Sequence, residues 1–335
     1  MSTDNKSKLW SDIRSKYSIY FVLTALFIIS WMANENFVSA ENLKNISAQI
    51  SVGTILAFGQ TVLIISGMLD LSSGSVLALA GVLSISSYKM TGSLLIAFIV
   101  AIVVGVVCNI LNGIMITKFK TPPFIATLAM MTMARGAALM YTNGQNIYQI
   151  GNYIIFGQGR IMGIPAPAIF MIIVLLITWY ILRNTVFGRS IYAIGGNEEA
   201  ANASGINVER IKMKAFIYNG ILVGIAGVLF MSRVNGGMPN GAQGYEFKAL
   251  TAAVIGGTSF TGGIGTAGGT LAGAFIVGFL DNIMVLAGVN SYLQQIVRGA
   301  IIALAVIYDI QAKTVRTKRK HGFAEVKQSN IEKSI

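Results

Sequence analysis

Long apolar segments recur along almost the whole chain, and most are close to the length that a helix needs to cross a bilayer. A hydrocarbon core about 30 Å thick requires about 20 apolar residues in a helix. Lipid offers no partner for exposed backbone groups, so these segments are expected to be helical. The sequence therefore predicts an all-α polytopic membrane protein with about ten transmembrane helices. The predicted spans lie near 18–33, 46–67, 72–88, 93–117, 122–141, 165–182, 214–232, 247–262, 268–288 and 293–310.

Composition excludes two water-soluble domains as the alternative. Of the 335 residues, 54% are hydrophobic and only 11% are charged, whereas a soluble domain carries about 25% charged residues. The net charge of +12 does not indicate nucleic-acid binding, because four basic residues lie in the first 16 positions and seven lie from Lys313 onward. No aromatic-basic module accompanies them. Basic tails beside membrane spans are typical of the cytoplasmic side, next to lipid.

Lysine and arginine counts in the connections predict the orientation. With the N-terminus inside, the inner segments hold 18 basic residues and the outer segments hold 5, which places both termini in the cytoplasm. The domain organisation is then an N-terminal tail (1–17), one transmembrane domain (18–312) with a cytoplasmic loop (184–213), and a basic tail (313–335). Spans 2–5 and 7–10 suggest an inverted repeat, because the unpaired sixth span between them makes the second group cross the membrane in the opposite direction.

Two of the spans and the N-terminus are special cases. The third and eighth spans are short and lie beside glycine-rich turns, which predicts breaks or tilts. "VSA" at Val38–Ala40 resembles a signal-peptide cleavage site. However, the gap from Met32 to Ala40 is long, and the later spans need a first helix to set their orientation. We therefore expect an uncleaved anchor.

The sequence lacks the residues that most enzymes and metal proteins use. The glycine clusters at 256–269 contain no phosphate-loop motif, and no Lys lies near them. The single His321 has no Cys or carboxylate cluster around it, so neither a metal site nor a Ser-His-Asp arrangement is predicted. The lone Cys108 excludes a disulfide within one chain. We expect no catalytic residue and no metal in this chain.

Charged residues within the spans are few: Arg135, Asp281 and Arg298, with Asp70 at a span end. Each costs about 2.5–3.5 kcal/mol at mid-membrane, so each should face protein or water. Asp281 is predicted to pair with Arg298, whereas Arg135 suits structural ion pairing and pore lining equally. Neutral polar residues in the spans indicate a conduit for an uncharged polar solute, with interhelical hydrogen bonding as the alternative for each. These residues are Asn109, Asn112, Thr127, Thr132, Asn282, Gln294 and Gln295.

The polar segment between the sixth and seventh spans is far longer than the roughly five residues that a turn requires. Asn197 suits a helix N-cap, and Gly205 suits the position after a helix end. The acidic Glu198 and Glu199 would occupy the first turn, where the helix dipole favours them. The segment predicts a short helix over Glu198–Asn202 that lies across the cytoplasmic face, buries nothing in its own chain, and contacts another protein.

At these residues the sequence resembles the ribose-type permeases of ABC importers. Their coupling helix carries E-A-A followed by Gly, matched here by Glu199, Ala200, Ala201 and Gly205 within a "GR-IYA-GGNE-A---SGIN" pattern. The resemblance covers roughly residues 15–312. It departs from the family pattern at the usual G-I-D-L-S, which is GMLDLS here, and at Asp281, where Asn is more usual. Further agreement lies in "GMLDLSSGSVLALAG" (Gly67–Gly81), "PPFIATLAMM" (Pro122–Met131), "RG" and "YTNG" (135–144), "GYEFKALTAAVIGGTSFTGGIGT" (Gly244–Thr266) and "YLQQIV" (Tyr292–Val297).

The resemblance implies the rest of a transport machine in the bacterial inner membrane. Two permeases would line one pathway, and two ATPase subunits, which use ATP and Mg, would dock beneath them. A periplasmic or lipid-anchored sugar-binding protein would deliver the cargo, with Tyr141–Pro167 as its landing site. This chain itself would bind no cofactor. The residues expected to contact the ATPase are Asn197, Glu198, Glu199, Ala200, Ala201 and Gly205.

The implied cargo is a neutral monosaccharide, with ribose as the first expectation. Xylose, galactose, a furanose-like signal molecule, a nucleoside or a branched-chain amino acid are the alternatives within the same class. A stand-alone facilitator, without an ATPase, is a more distant alternative.

Overall fold

The computed structural model describes residues 19–304, 306–307 and 311. The two predicted tails, 1–17 and 313–335, and His321 lie outside the described residues. Within the described part the chain is predominantly helical, and paired strand is confined to a small hairpin. Its strands are Arg160–Ile161 (β1) and Ile164–Pro165 (β2). The predicted all-α membrane fold is thereby confirmed.

The helices follow the predicted spans closely, with additional short helices in the connections. Six of them are long and apolar enough to cross a membrane: α2, α4, α5, α7, α10 and α12 in the numbering that follows. In chain order they are α1 Ile19–Ala33, α2 Ala40–Ile65, α3 Ser73–Thr91, α4 Leu94–Thr117, α5 Pro123–Thr142, α6 Ile155–Gln158, α7 Ala166–Asn184, α8 Val186–Gly196, α9 Glu198–Ala203, α10 Val208–Arg233, α11 Tyr245–Ile255, α12 Ala267–Leu286 and α13, which is helical over 291–304.

The third and eighth predicted spans differ from the others. Helix α3 has 19 residues but includes five serines, and α11 has only 11 residues. The predicted span 247–262 is wrong beyond residue 255, because Gly256 and Gly257 end the helix and Gly257 adopts φ +84°. Such a backbone conformation is readily available only to glycine. The glycine-rich turns therefore shorten α11 to about half a span.

Helices α2 and α10 form the centre of the molecule. In their most apolar stretches, 83% of the residues of α2 and 78% of those of α10 are buried, against 28% for both α4 and α5. A helix that is apolar on all sides and buried on all sides belongs to a core. Helices α4 and α5 instead leave much of their surface uncovered by the rest of the described chain.

Glycines allow α10 to approach its neighbours closely. A Cβ added at Gly224 would lie 2.6 Å from the carbonyl oxygen of Ala101, and one at Gly220 would lie 2.6 Å from that of Gly105. Both distances are far shorter than van der Waals contact, so only glycine permits this crossing of α10 and α4. The small-residue spacing in the sequence therefore reflects close helix packing.

The order of the helices repeats in the two halves of the chain. Helices α2 to α5 begin at 40, 73, 94 and 123, and α10 to α13 begin at 208, 245, 267 and 291, which is 168 to 173 residues later in each case. Helices α2 and α10 both have 26 residues. In each half the second helix is shorter than the two that flank it, with 19 residues in α3 and 11 in α11.

The N-termini of α3 and α11 meet inside the helical core. The Gln60 side chain bonds the backbone of Asp70, so the chain turns back after α2 and starts α3 at the level of Gln60. A Cβ added at Gly74 would lie 2.6 Å from the Ala242 carbonyl oxygen and would overlap the Glu246 carboxylate.

Candidate functional site

Helix α9 has the predicted capping. The Asn197 side-chain oxygen accepts a hydrogen bond from the Ala200 amide at 2.9 Å. At the other end Gly205 adopts φ +84° and donates its amide to the Asn202 carbonyl. The helix runs to Ala203, one residue further than predicted.

The acidic side chains of α9 point into solvent. Glu198 is exposed and its Oε2 lies 2.7 Å from Lys212 Nζ. Glu199 is also exposed and makes no ion pair with any residue that the structure describes. Ala200, the next residue, is exposed as well. Together they form a small acidic surface that is available to a partner.

Two expectations about this segment need correction. Helix α9 does bury a residue, because Ala201 is 4% exposed and packs with Ile194 and Val208. Helix α10 begins at Val208, so the predicted loop 184–213 ends earlier and is itself mostly the helices α8 and α9. The segment is therefore a folded layer that is docked on the spans.

Helix α8 connects α9 to the end of α2 and to the loop 256–266. A Cβ added at Gly195 would overlap the Ile65 carbonyl oxygen at the end of α2, and that same oxygen accepts the Gly263 amide at 2.8 Å. The Tyr192 hydroxyl donates to the Gly265 carbonyl at 2.7 Å. The glycine-rich loop 256–266 is thus held between α8 and α2. Sequence reasoning missed this contact, although the glycine pairs at 195–196 and 262–263 were visible.

A buried polar centre surrounds Asp70 at the start of α3. Its carboxylate accepts hydrogen bonds from the Ser72 amide and hydroxyl, the Ser73 hydroxyl and the Asn219 side-chain amide, the last at 2.7 Å. The N-terminus of α3 adds a favourable dipole. These donors surround a buried carboxylate that makes no ion pair with a described residue.

The amides around Asp70 connect three helices. Asn219 on α10 donates to both Asp70 and Asn109, and Asn112 on α4 donates to the Ser72 hydroxyl. The structure therefore brings the predicted residues Asp70, Asn109 and Asn112 together. Sequence reasoning missed Asn219, because a single amide in an apolar helix carries no distinguishing pattern.

A second cluster contains the predicted Asp281–Arg298 pair, which is confirmed. Arg298 Nε lies 2.7 Å from Asp281 Oδ1, and Lys248 Nζ lies 2.8 Å from Asp281 Oδ2. Arg298 also donates to Gln294 at 3.2 Å. Lys248 was missed because the sequence placed it with the outer connections.

The remaining candidates lie apart from both clusters. Arg135 donates to the carbonyls of Pro239 and Gly241 and forms no ion pair with a described residue, so it holds the loop between α10 and α11. The other side chains make local or interhelical bonds. Asn282 pairs reciprocally with Asn42, Thr127 donates to the Pro123 carbonyl, Thr132 donates to the Ala129 carbonyl, and Gln295 is exposed.

Comparison with known proteins gives close relatives along nearly the whole chain. The chain is 39% identical over 312 residues to the ribose import permease protein RbsC of Bacillus subtilis, covering 92% of this chain and 97% of that protein. It is 40% identical over 308 residues to RbsC of Escherichia coli K12, covering 90% and 95%. It is 36% identical over 298 residues to the L-arabinose transport system permease protein AraH of the same strain, covering 89% and 91%.

The family comparison agrees with these relatives. No solved structure matches the chain. The family described as "Branched-chain amino acid transport system / permease component" matches residues 42–306, which include every helix from α3 to α12. The chain is therefore a multi-pass integral membrane permease that belongs to this family.

Proposed function

We propose that the chain is the transmembrane subunit of an ATP-driven ABC importer and forms the pathway for a neutral monosaccharide, with ribose as the cargo. The names of its relatives support the sugar. The observation that carries the ATP-driven mechanism is the contact of α8 and α9 with the membrane helices. The capped, acidic, exposed helix α9 follows directly on α8, and the glycines of α8 contact the end of α2 and the loop 256–266.

This contact provides a route for mechanical work. An ATPase subunit that moves α9 would displace α8, with which α9 is nearly continuous through Asn197. Gly195 would then transmit the displacement to Gly263 and the loop that follows α11. Helix α11 is short and starts inside the core, so it can tilt without moving a complete span. The chain transmits work and performs no chemistry, and ATP and Mg would be used by the ATPase.

The proposed topology has ten membrane segments, α1 to α5, α7 and α10 to α13, in the bacterial inner membrane. Both termini lie in the cytoplasm, in agreement with the basic residues of the connections. Helices α2–α5 and α10–α13 then run in opposite senses as an inverted repeat. This arrangement places α9 inside and the hairpin β1–β2 outside.

The proposed assembly contains a second copy of the permease, two ATPase subunits and a sugar-binding protein. The outer segment 141–167 offers a firm surface for the binding protein. The Tyr153 hydroxyl bonds Ser84 at 2.8 Å, and the Gly157 amide bonds Ser232 at 2.7 Å. Met162 at the hairpin tip is 98% exposed. The segment is thus anchored to α3 and α10 while its tip remains available.

Uptake into proteoliposomes tests this proposal. Vesicles would contain the permease and its ATPase, with the binding protein and labelled ribose outside, and with or without ATP inside. Unlabelled xylose, galactose and leucine would serve as competitors. We expect ATP-dependent accumulation that ribose displaces best.

The other outcomes are distinct. ATP-dependent accumulation that another solute displaces better would retain the mechanism and replace the cargo. Uptake that is independent of ATP would contradict the coupling role of α9 and favour a stand-alone facilitator.

A further inference from the structure

A half-open cavity of about 330 Å³ lies among α11, α12 and α13. The cluster of Lys248, Asp281 and Arg298 forms part of its wall, together with the side chains of Gln295 and Phe247. Small-molecule pockets begin at about 300 Å³, so this volume suits a small ligand. The cavity is separate from the polar centre around Asp70, none of whose residues line it.

The cluster is arranged to present donors to the cavity. Asp281 is almost completely buried, with 5% of its side chain exposed, whereas the side chains of Lys248 and Arg298 are 23% and 29% exposed. The carboxylate therefore lies behind the two cations and fixes them. An ammonium group has three N–H donors and a guanidinium group has five. The bonds to Asp281 and Gln294 use one donor of Lys248 and two of Arg298, which leaves donors available among the described contacts.

A sugar also needs a hydrogen-bond acceptor for its hydroxyl protons and an apolar surface for its C–H face, and the cavity wall offers both. Gln295 is exposed and its amide makes no hydrogen bond to a described residue, so it can both donate and accept. The Phe247 ring is 45% exposed and lines the same cavity. An apolar ring face suits the C–H face of a sugar, while fixed polar groups suit its hydroxyl groups.

We propose that this cavity is a monosaccharide-binding subsite of the transport pathway. The hydroxyl oxygens accept from Lys248 and Arg298, Gln295 bonds a further hydroxyl, and the sugar ring lies over Phe247. The inference rests on the proposed function, since it names where that function's cargo is held. It assigns Asp281 a positioning role, because the carboxylate acts through the two cations.

Gly299 provides a direct test. It lines the cavity, and a Cβ added there meets no atom within 4 Å. Gly136 on α5 is an exposed glycine that is equally open and does not line the cavity, so it is a matched control. In the complete importer, Gly299→Leu should reduce ATP-dependent ribose uptake at least tenfold, whereas Gly136→Leu should leave it within twofold. Both variants should keep the thermal midpoint of the wild type.

A labelling experiment tests occupancy independently of uptake. Cys108 is replaced by Ala, and a thiol is introduced by Gly299→Cys or, as the control, by Gly136→Cys. Ribose at millimolar concentration should slow maleimide labelling at position 299 at least threefold and leave position 136 unchanged. Ribose-free buffer of equal osmolality, made with sodium chloride, controls for solution effects.

The outcomes separate the two proposals. If wild-type vesicles accumulate no sugar, the proposed function fails, whatever the labelling shows. If the wild type accumulates ribose but Gly299→Leu transports normally and ribose gives no protection, the subsite is overturned. Reduced uptake of Gly299→Leu without protection at position 299 would also contradict sugar binding and indicate a structural effect.

Discussion

At the scale of single residues, the buried carboxylates of Asp70 and Asp281 are held in the interior in different ways. Asp70 is surrounded by hydroxyl and amide donors and by the N-terminus of α3, whereas Asp281 contacts two cations. A buried charge with neither kind of partner would cost several kcal/mol. Asp70 therefore depends on neutral neighbours, and Asp281 depends on the exact pairing of charges.

Replacing Asn219 tests the first arrangement. Asn219→Ala removes the donor shared by Asp70 and Asn109. The loss of a buried hydrogen-bond donor to a charged group should lower the free energy of unfolding by about 1–3 kcal/mol. The measurement is the unfolding midpoint of the purified protein in detergent. Thr132→Ala, at an exposed position, is the control and should leave the midpoint unchanged; equal midpoints for both variants would contradict the role of Asn219.

A charge exchange tests the second arrangement. Asp281→Lys combined with Arg298→Asp restores one pair but places the new lysine beside Lys248, so we expect the double variant to remain less stable than the wild type. Adding Lys248→Glu should recover much of the loss, because opposite charges again meet at both contacts. Thermal midpoints of the three proteins measure this. A double variant as stable as the wild type would show that Lys248 contributes nothing.

The residue-level predictions succeeded where a charge was conspicuous. Asp281 and Arg298 stand out in an apolar sequence, so their pairing was predictable from the cost of an unpaired charge. Lys248 was assigned to a connection because hydropathy does not show that α11 begins inside the core. Asn219 and Gln60 were not predictable, since their partners are determined by the crossing of α2, α3 and α10.

At the scale of elements, the contact between α8 and the loop 256–266 depends on the absence of side chains. Gly195 touches the Ile65 carbonyl, and the loop glycines touch the backbone of α8. Backbone contacts of this kind cannot adjust by rotamer changes, so they suit the proposed transmission of displacement. The capped helix α9 was predictable within one residue because capping is local, whereas this contact is not encoded by any local pattern.

Adjacent glycines make this contact testable. Gly195→Ala would place a methyl group against the Ile65 carbonyl oxygen and push α8 away, whereas Gly196→Ala meets open space. We expect Gly195→Ala to reduce ATP-dependent uptake at least tenfold and Gly196→Ala to change it less than twofold. Uptake in proteoliposomes is measured with ATP hydrolysis in the same vesicles. Normal uptake by Gly195→Ala would exclude this route of coupling.

The acidic surface of α9 gives a second prediction. Glu199→Lys reverses an exposed charge that has no ion-pair partner among the described residues, so the fold should tolerate it. Uptake should fall at least tenfold if the ATPase contacts this side chain. Glu41→Lys changes an exposed acid in the first turn of α2 and serves as the control. Equal uptake by the two variants would contradict the assignment of α9 as the ATPase contact.

At the scale of the whole molecule, the order of α2–α5 recurs in α10–α13, as the proposed topology of ten segments requires. The sequence predicted these segments because hydropathy reports burial in lipid or protein. It did not predict the short length of α11, because hydropathy continues through the glycines that end the helix. The repeat itself was only suggested by the unpaired sixth span between the two groups of four, since the two halves share positions rather than obvious motifs.

The proposed orientation can be measured on the intact protein. With Cys108 replaced by Ala, Asn202→Cys on α9 should be labelled by a membrane-impermeant maleimide only from the cytoplasmic side. Met162→Cys at the hairpin tip should be labelled only from outside. Both parent positions are exposed, so access depends on the side of the membrane and not on burial. Labelling of both from the same side would refute the topology.

The starts of α3 and α11, which meet in the core, are held by different contacts. The start of α3 is fixed through Asp70 to α10, whereas at the start of α11 one carboxylate oxygen of Glu246 has no hydrogen-bond partner in the described part of the chain. The other end of α11 leads into the loop that α8 contacts. Under the proposed coupling, work delivered to α8 at the cytoplasmic face would reach α11 in the second half of the chain, whereas α3 in the first half would keep its contacts with α10. In the proposed pair of permeases, each chain would then move its own α11 relative to its own α3 and α10.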